Sequence, residues 1–294
     1  MSSIEAFFQY LVSGITQGSI YAMIALGFTI IYNATTIINF AQGELVMMGA
    51  MFAVTLTMTL GLPLYISFPL AVVASTLLGA LLYRLALAPM RSPSPIKLII
   101  VTVGASIFLK GVAMLIWGKE ALVLKSFSGD EPIRFGEVTM VPQHFWVIAV
   151  LTVSVLGLNA FYKKTITGKA MRACASNARA AGLMGIDVRR MTLFTWALSG
   201  MLGASAGIVI APLTMMSYHM GTMLGLKGFC AAILGGLGST PGAIVGGVII
   251  GVLENLGAGY ISSSLKDAFA FFIMLSVLFV RPGGILGAKE MERV

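Results

Sequence analysis

Apolar positions run almost unbroken along this chain: no Asp, Glu, Lys or Arg interrupts residues 6–43, 45–83, 191–226 or 228–253. A helix needs roughly 20 mostly apolar residues to cross a bilayer, so such runs read as membrane spans. The pattern predicts spans over about 7–32, 45–60, 64–83, 96–117, 145–162, 191–213 and 266–280. Between residues 227 and 256 it is interrupted by Gly235-Gly-Leu-Gly-Ser-Thr-Pro-Gly242, which suits two short helices or a re-entrant hairpin. Backbone freed there has to be satisfied by neighbouring helices or a water-filled cavity. The expected fold class is all-α: a polytopic membrane protein of about eight transmembrane helices, with a broken or re-entrant helix pair in the C-terminal half. Residues 1–294 form a single transmembrane domain. Two small-residue stripes, Gly14/Gly18/Ala22 and Gly203/Gly207, mark faces where another helix can approach closely.

Composition agrees, at 58% hydrophobic and 10% charged residues with mean hydropathy +0.95. The net charge of +8 does not point to nucleic acid, because the basic residues lie in connections between spans, where they orient helices. Seven of the 19 basic residues fall between Lys163 and Arg190 against one acid, Asp187. This loop, and the basic, proline-rich connection 84–97, are expected on the cytoplasmic side. The loop 118–142 is slightly acidic and is expected outside, which puts the N-terminus outside too. Within the basic loop, Thr167 is expected to cap one helix over 168–181, Gly182 and Gly185 to end it, and Asp187 to cap the next span.

Candidate chemistry is sparse. His144 and His219 stand far apart and have no metal-ligand spacing, Cys174 and Cys230 have no ligand company, and no Gly-x-x-x-x-Gly-Lys-[Ser/Thr] loop is present. No catalytic or metal residue is expected, the chain is not read as an enzyme, and any ATP would be bound by another chain. Asn39, Gln42 and Glu44, polar residues between the first two spans, are candidates for a translocation pathway within about two helical turns of the cytoplasmic face. Glu44 admits a second reading, as a structural acceptor of hydrogen bonds from neighbouring helix ends. Three classes fit these features: the membrane subunit of an ATP-driven pump, an ion-coupled secondary transporter of a small polar solute, and a channel.

Five blocks, in order, carry a resemblance. They are Ile38-Asn-Phe-Ala-Gln-Gly-Glu-Leu-Val-Met-Met-Gly-Ala50, Ala88-Pro-Met-Arg91 with Thr102-Val-Gly-Ala-Ser-Ile-Phe108, Met171–Asp187, Gly235–Gly247 and Arg281-Pro-Gly-Gly-Ile-Leu-Gly287. Together they resemble the permeases of ABC importers in the branch serving branched-chain amino acids, the LivH type. The resemblance implies a multi-pass protein of the bacterial inner membrane. It would work with a LivM-type second permease, two cytoplasmic ATPase subunits and a periplasmic solute-binding protein, and it would need no cofactor of its own. It also implies that 163–190 is the cytoplasmic coupling loop, with Arg172, Asn177, Ala178, Ala181, Gly182, Gly185 and Asp187 coupling to the ATPase. Where the family carries a Glu-Ala-Ala-like motif, this chain has Arg179-Ala-Ala181. Contact by shape is therefore expected to matter there more than an ion pair.

Overall fold

The computed structural model describes residues 3–90, 94–129, 131–135 and 138–287. Arg91 of the Ala88–Arg91 block, and Asp130 and Glu137 of the acidic loop 118–142, lie outside the described residues. Among the described residues eleven α-helices follow one another: α1 (Ser3–Thr35), α2 (Gln42–Val54), α3 (Leu64–Leu82), α4 (Pro95–Trp117), α5 (Pro142–Lys164), α6 (Ile166–Ser176), α7 (Ala178–Leu183), α8 (Val188–Ile210), α9 (Met220–Gly235), α10 (Thr240–Tyr260) and α11 (Lys266–Val280). Five-residue π-helical segments extend α2 (Thr55–Thr59) and α3 (Tyr83–Leu87). A small antiparallel hairpin, β1 (Ile133–Phe135) and β2 (Val138–Met140), is the one sheet among the described residues. Among the described residues seven helical segments are long and apolar enough to cross a membrane, and α9 is a shorter apolar helix. The all-α, polytopic architecture read from the sequence is therefore the observed one.

Helix α1 is the hub. From Ile20 to Ile31 its side chains are almost wholly enclosed by α8, α9 and α10, whereas α3, α4, α5 and α11 leave long rows of Leu, Ile, Val and Phe exposed. The glycine stripes explain why α1 can be so closely surrounded. A Cβ at Gly14 would lie 2.6 Å from Val252 Cα, and one at Gly18 would lie 2.7 Å from Val248 Cα, so α1 and α10 touch backbone to backbone. Gly203 and Gly207 serve α8 in the same way against Leu45 and Val46 of α2.

Two ends can be told apart. At one, the side chain of Gln9 bonds both ways with the Thr139 backbone (2.9 and 3.1 Å), and Leu122 pairs with Met216 (2.7 Å). The start of α1, the hairpin loop and the α8–α9 connection are thereby held together. At the other end Asn33 donates to Gly238 O (2.9 Å), while Ile285 and Leu286 donate backbone N–H groups to Leu234 and Gly235. The glycine-rich turn between α9 and α10 therefore lies beside the end of α1 and not at mid-depth, with Gly236 and Gly238 at φ 101° and 92° making the tight return. Of the expected short pair, α10 spans fully and only α9 is short.

Candidate functional site

Two polar regions stand out, one midway along the spans and one in the basic loop. After Thr36, at φ 55°, the chain folds back among the helices. Asn39 Oδ1 accepts the Ala41 N–H (3.0 Å) and Asn39 O accepts that of Gln42 (3.1 Å), a side-chain-braced turn that starts α2 without a side-chain cap at Ala41. Asn39, Gln42 and Glu44 are all fully buried. Gln42 donates to Ser199 O (3.2 Å), near the middle of α8, and its side-chain oxygen accepts from the Ser199 hydroxyl, which also lies 3.1 Å from Gly27 O. A Cβ at Gly27 would overlap the Gln42 amide.

Glu44 Oε1 accepts hydroxyl protons from Ser106, at the centre of α4, and from Thr222, in the first turn of α9, both at 3.0 Å. Its Oε2 has no hydrogen-bond partner and lies against Gly221. These partners place Gln42 and Glu44 at mid-span, which corrects the expectation of a position near the cytoplasmic face. Counting from the end of α1 assumes that the connection stays at the surface, but here it re-enters. Ser106, Ser199 and Thr222 carried no signal in the sequence, since single hydroxyls in apolar helices usually bond back to their own backbone.

A second buried cluster lies toward the Tyr260 end of α10. Lys227 Nζ sits 2.8 Å from Glu254 Oε1 and 2.6 Å from Asp267, Tyr21 donates to Glu254 (3.0 Å), and Gln17 donates to Tyr21 (3.0 Å). With Lys266 Nζ 3.8 Å from Glu254, two cations face two acids, and the cluster ties α1, α9, α10 and α11 together. In the sequence nothing pairs Lys227 with Glu254, because 27 residues and a turn separate them.

The basic loop forms two helices, not the single one expected. Thr165, not Thr167, caps α6, its hydroxyl accepting Gly168 N–H at 2.9 Å. Gly168 rests on Phe161 O and the Tyr162 Cα of α5, which fixes where the helix begins. At Asn177 the backbone is extended (φ −157°), and its side chain caps α7 by accepting Ala180 N–H (3.0 Å). Asn favours such a cap over a helix interior. Gly185 (φ 85°) follows α7, and Asp187 caps α8 through Arg190 N–H (3.1 Å), as expected. Met171, Cys174 and Ala181 face inward, whereas Arg172, Asn177, Ala178, Gly182, Gly185 and Asp187 are exposed. Burial pushes the Cys174 thiol above its ordinary pKa. Leu183 and Met184 stand 86% and 84% exposed beyond α7. Between this loop and the ends of α1, α5, α8 and α10 lies a cavity of about 410 Å³, lined by Asn33, Asn159, Lys163 and Arg172 among others. Among the described residues no His, Cys, Asp and Glu side chains cluster to hold a metal.

Residues 10–278 match the family described as branched-chain amino acid transport system / permease component. The chain is 34% identical, over 98% of both chains, to the high-affinity branched-chain amino acid transport system permease protein LivH of Escherichia coli. It is 35% identical, over the full length of both, to the corresponding protein BraD of Pseudomonas aeruginosa. To the probable branched-chain amino acid transport permease protein LivH of Methanocaldococcus jannaschii it is 32% identical, over 95% of this chain and 93% of that one. With a match of this extent, seven spans and a capped, exposed loop, the chain belongs to the branched-chain amino acid transport permease family.

Proposed function

We propose that this chain is one membrane-spanning subunit of an ATP-driven importer of branched-chain amino acids in the bacterial inner membrane. Its partners would be a LivM-type second permease, two cytoplasmic ATPase subunits that bind all the ATP, and a periplasmic binding protein. Membership of the permease family favours this reading over ion-coupled transport. So does the cluster of Lys227 and Lys266 with Glu254 and Asp267, two cations against two acids, which leaves those groups matched in charge.

The observation that carries the coupling role is the exposed apolar pair Leu183 and Met184 at the tip of a loop whose other face is anchored on α5. Side chains of this kind are left bare in water where a partner covers them. The anchored α6 and the cap of α8 at Asp187 join that tip directly to two spans. Closure of the ATPases can then shift the spans, provided the tip makes contacts of different energy in the two states.

The test is uptake of labelled leucine by the assembled importer. Leu183→Glu with Met184→Glu should leave membrane insertion intact and cut ATP-driven uptake about tenfold or more, the effect of losing a buried hot spot at an interface. Unchanged uptake would remove the loop from the coupling path.

A further inference from the structure

Two acids are fully buried among the described residues, and only one has a counter-ion. Glu254 is held by Lys227 at 2.8 Å and by Lys266 at 3.8 Å. Glu44 makes no ion pair among the described residues, has two neutral hydroxyls on Oε1 and leaves Oε2 bare. Lys110, one turn along α4 from Ser106, is the cation whose charge reaches it. A buried carboxylate without a paired charge is costly, and such groups in membrane spans mark functional sites.

A groove of about 140 Å³ lies immediately beyond those two hydroxyls, between α4 and α9. Ser106 and Thr222 line it, and most of the remaining lining is Phe28, Phe40, Val103 and Phe229. The Phe229 ring centroid is 5.7 Å from that of Phe28 and 5.8 Å from that of Phe40. Each hydroxyl gives its only proton to Glu44, so it has lone pairs left for a donor. Aromatic faces attract a cation and also shelter an aliphatic chain. The groove is smaller than the roughly 300–1,000 Å³ of drug-sized sites, which suits a solute of few heavy atoms.

We propose that this groove is a mid-membrane station for the transported amino acid, with its ammonium group held by Ser106 and Thr222 against Glu44 and its branched chain held among the phenylalanines. The proposal rests on the importer reading above. It supplies the missing counter-ion from the solute itself, so the pairing forms only while solute is in transit.

The test is equilibrium binding to the full chain in lipid nanodiscs, with three probes: leucine, 3-methylbutylamine (ammonium without carboxylate) and 4-methylpentanoate (carboxylate without ammonium). Leucine and the amine should compete for one site, and 4-methylpentanoate should not. In Glu44→Gln the amide oxygen can still accept both hydroxyls, so the variant should melt near the wild type yet bind both ammonium probes at least tenfold more weakly. Thr222→Val, at an exposed position, should weaken them about tenfold, the effect of one hydrogen bond to a charged group. If Glu44→Gln does not fold, Thr222→Val and Ser106→Ala decide the matter. Unchanged leucine binding in the folded variants, or competition by 4-methylpentanoate equal to that of the amine, would overturn the site. Uptake of leucine by the assembled wild-type importer separates the two proposals. Its absence would remove the solute assignment, whereas equal uptake by wild type and variants would remove the station alone.

Discussion

A lysine side chain only 8% exposed is tolerable within α9 because Glu254 and Asp267 stand 2.8 and 2.6 Å from its ammonium. Removing it leaves Glu254 buried without its main partner, so Lys227→Met should cost about 3–5 kcal/mol, the range for breaking a buried pair from one side. Lys227→Met combined with Glu254→Leu should recover much of that loss, since an apolar pair can replace a buried ion pair at little cost. Thermal denaturation of the detergent-solubilised protein measures both, and equal melting of the single and double variants would show that the cluster carries no coupling. Cys174 offers a second check at this scale. Its raised pKa leaves little thiolate, so a maleimide should modify an exposed Ser176→Cys thiol much faster than Cys174. What could be read at single residues was their type, not their company. Glu44 and Glu254 look alike as isolated acids in apolar sequence, and only tertiary contacts separate a matched charge from a bare one.

The glycine stripes were legible because spacing by four fixes a helix face whatever lies opposite. Their partners were not, and the structure supplies them as α10 for Gly14 and Gly18, and α2 for Gly203 and Gly207. Gly18→Val would force Val248 Cα and Gly247 O, now 2.7 and 2.8 Å from a Cβ position, out of place. It should therefore lower the yield of folded protein, whereas Gly157→Val, with open space around it, should be nearly silent. Folded yield by size-exclusion chromatography distinguishes them. Span boundaries were within a few residues of the observed ones where polar flanks exist, as at 96–117 against Pro95–Trp117. The helix of the basic loop differs from expectation at both ends because Thr165 and Thr167 can each cap, and the choice is made by Gly168 resting on α5. The interruption at Asn177 is a matter of local preference. Asn177→Ala should cost about 1 kcal/mol by loss of the cap and loosen α7, which a coupled ATPase assay would read as weaker stimulation by transport.

For the whole molecule, Gln9 and Thr139 bring the start of α1 and the loop 118–142 to one end, and Asn33 and Gly238 mark the other; the charge pattern predicts that the first of these ends faces outward. Ser176→Cys should be protected from impermeant thiol reagents in intact cells and Ser128→Cys should be labelled; the reverse would invert the protein and detach the coupling loop from the ATPases. The depth at which α2 begins has a further consequence, for biogenesis. With its five-residue π-helical extension the 13-residue α2 runs 18 residues and rises about 27 Å at ~1.5 Å each, close to a hydrocarbon core of roughly 30 Å, but its first turn carries Gln42 and Glu44 into the membrane, so α2 is a poor independent span. Its polar start is satisfied by Ser199 and Thr222, which lie 157 and 178 residues further along. At translation rates of about 5–20 residues per second, Gln42 and Glu44 wait on the order of ten to forty seconds for those partners. A chain ending before α8 offers Glu44 only Ser106, 62 residues along, and offers Gln42 no Ser199. Pulse-chase of nested truncations should show rapid proteolysis of chains ending before residue 188 and a jump in lifetime once α9 is complete, so that a nascent permease remains a substrate for membrane proteases until its second half closes over its first.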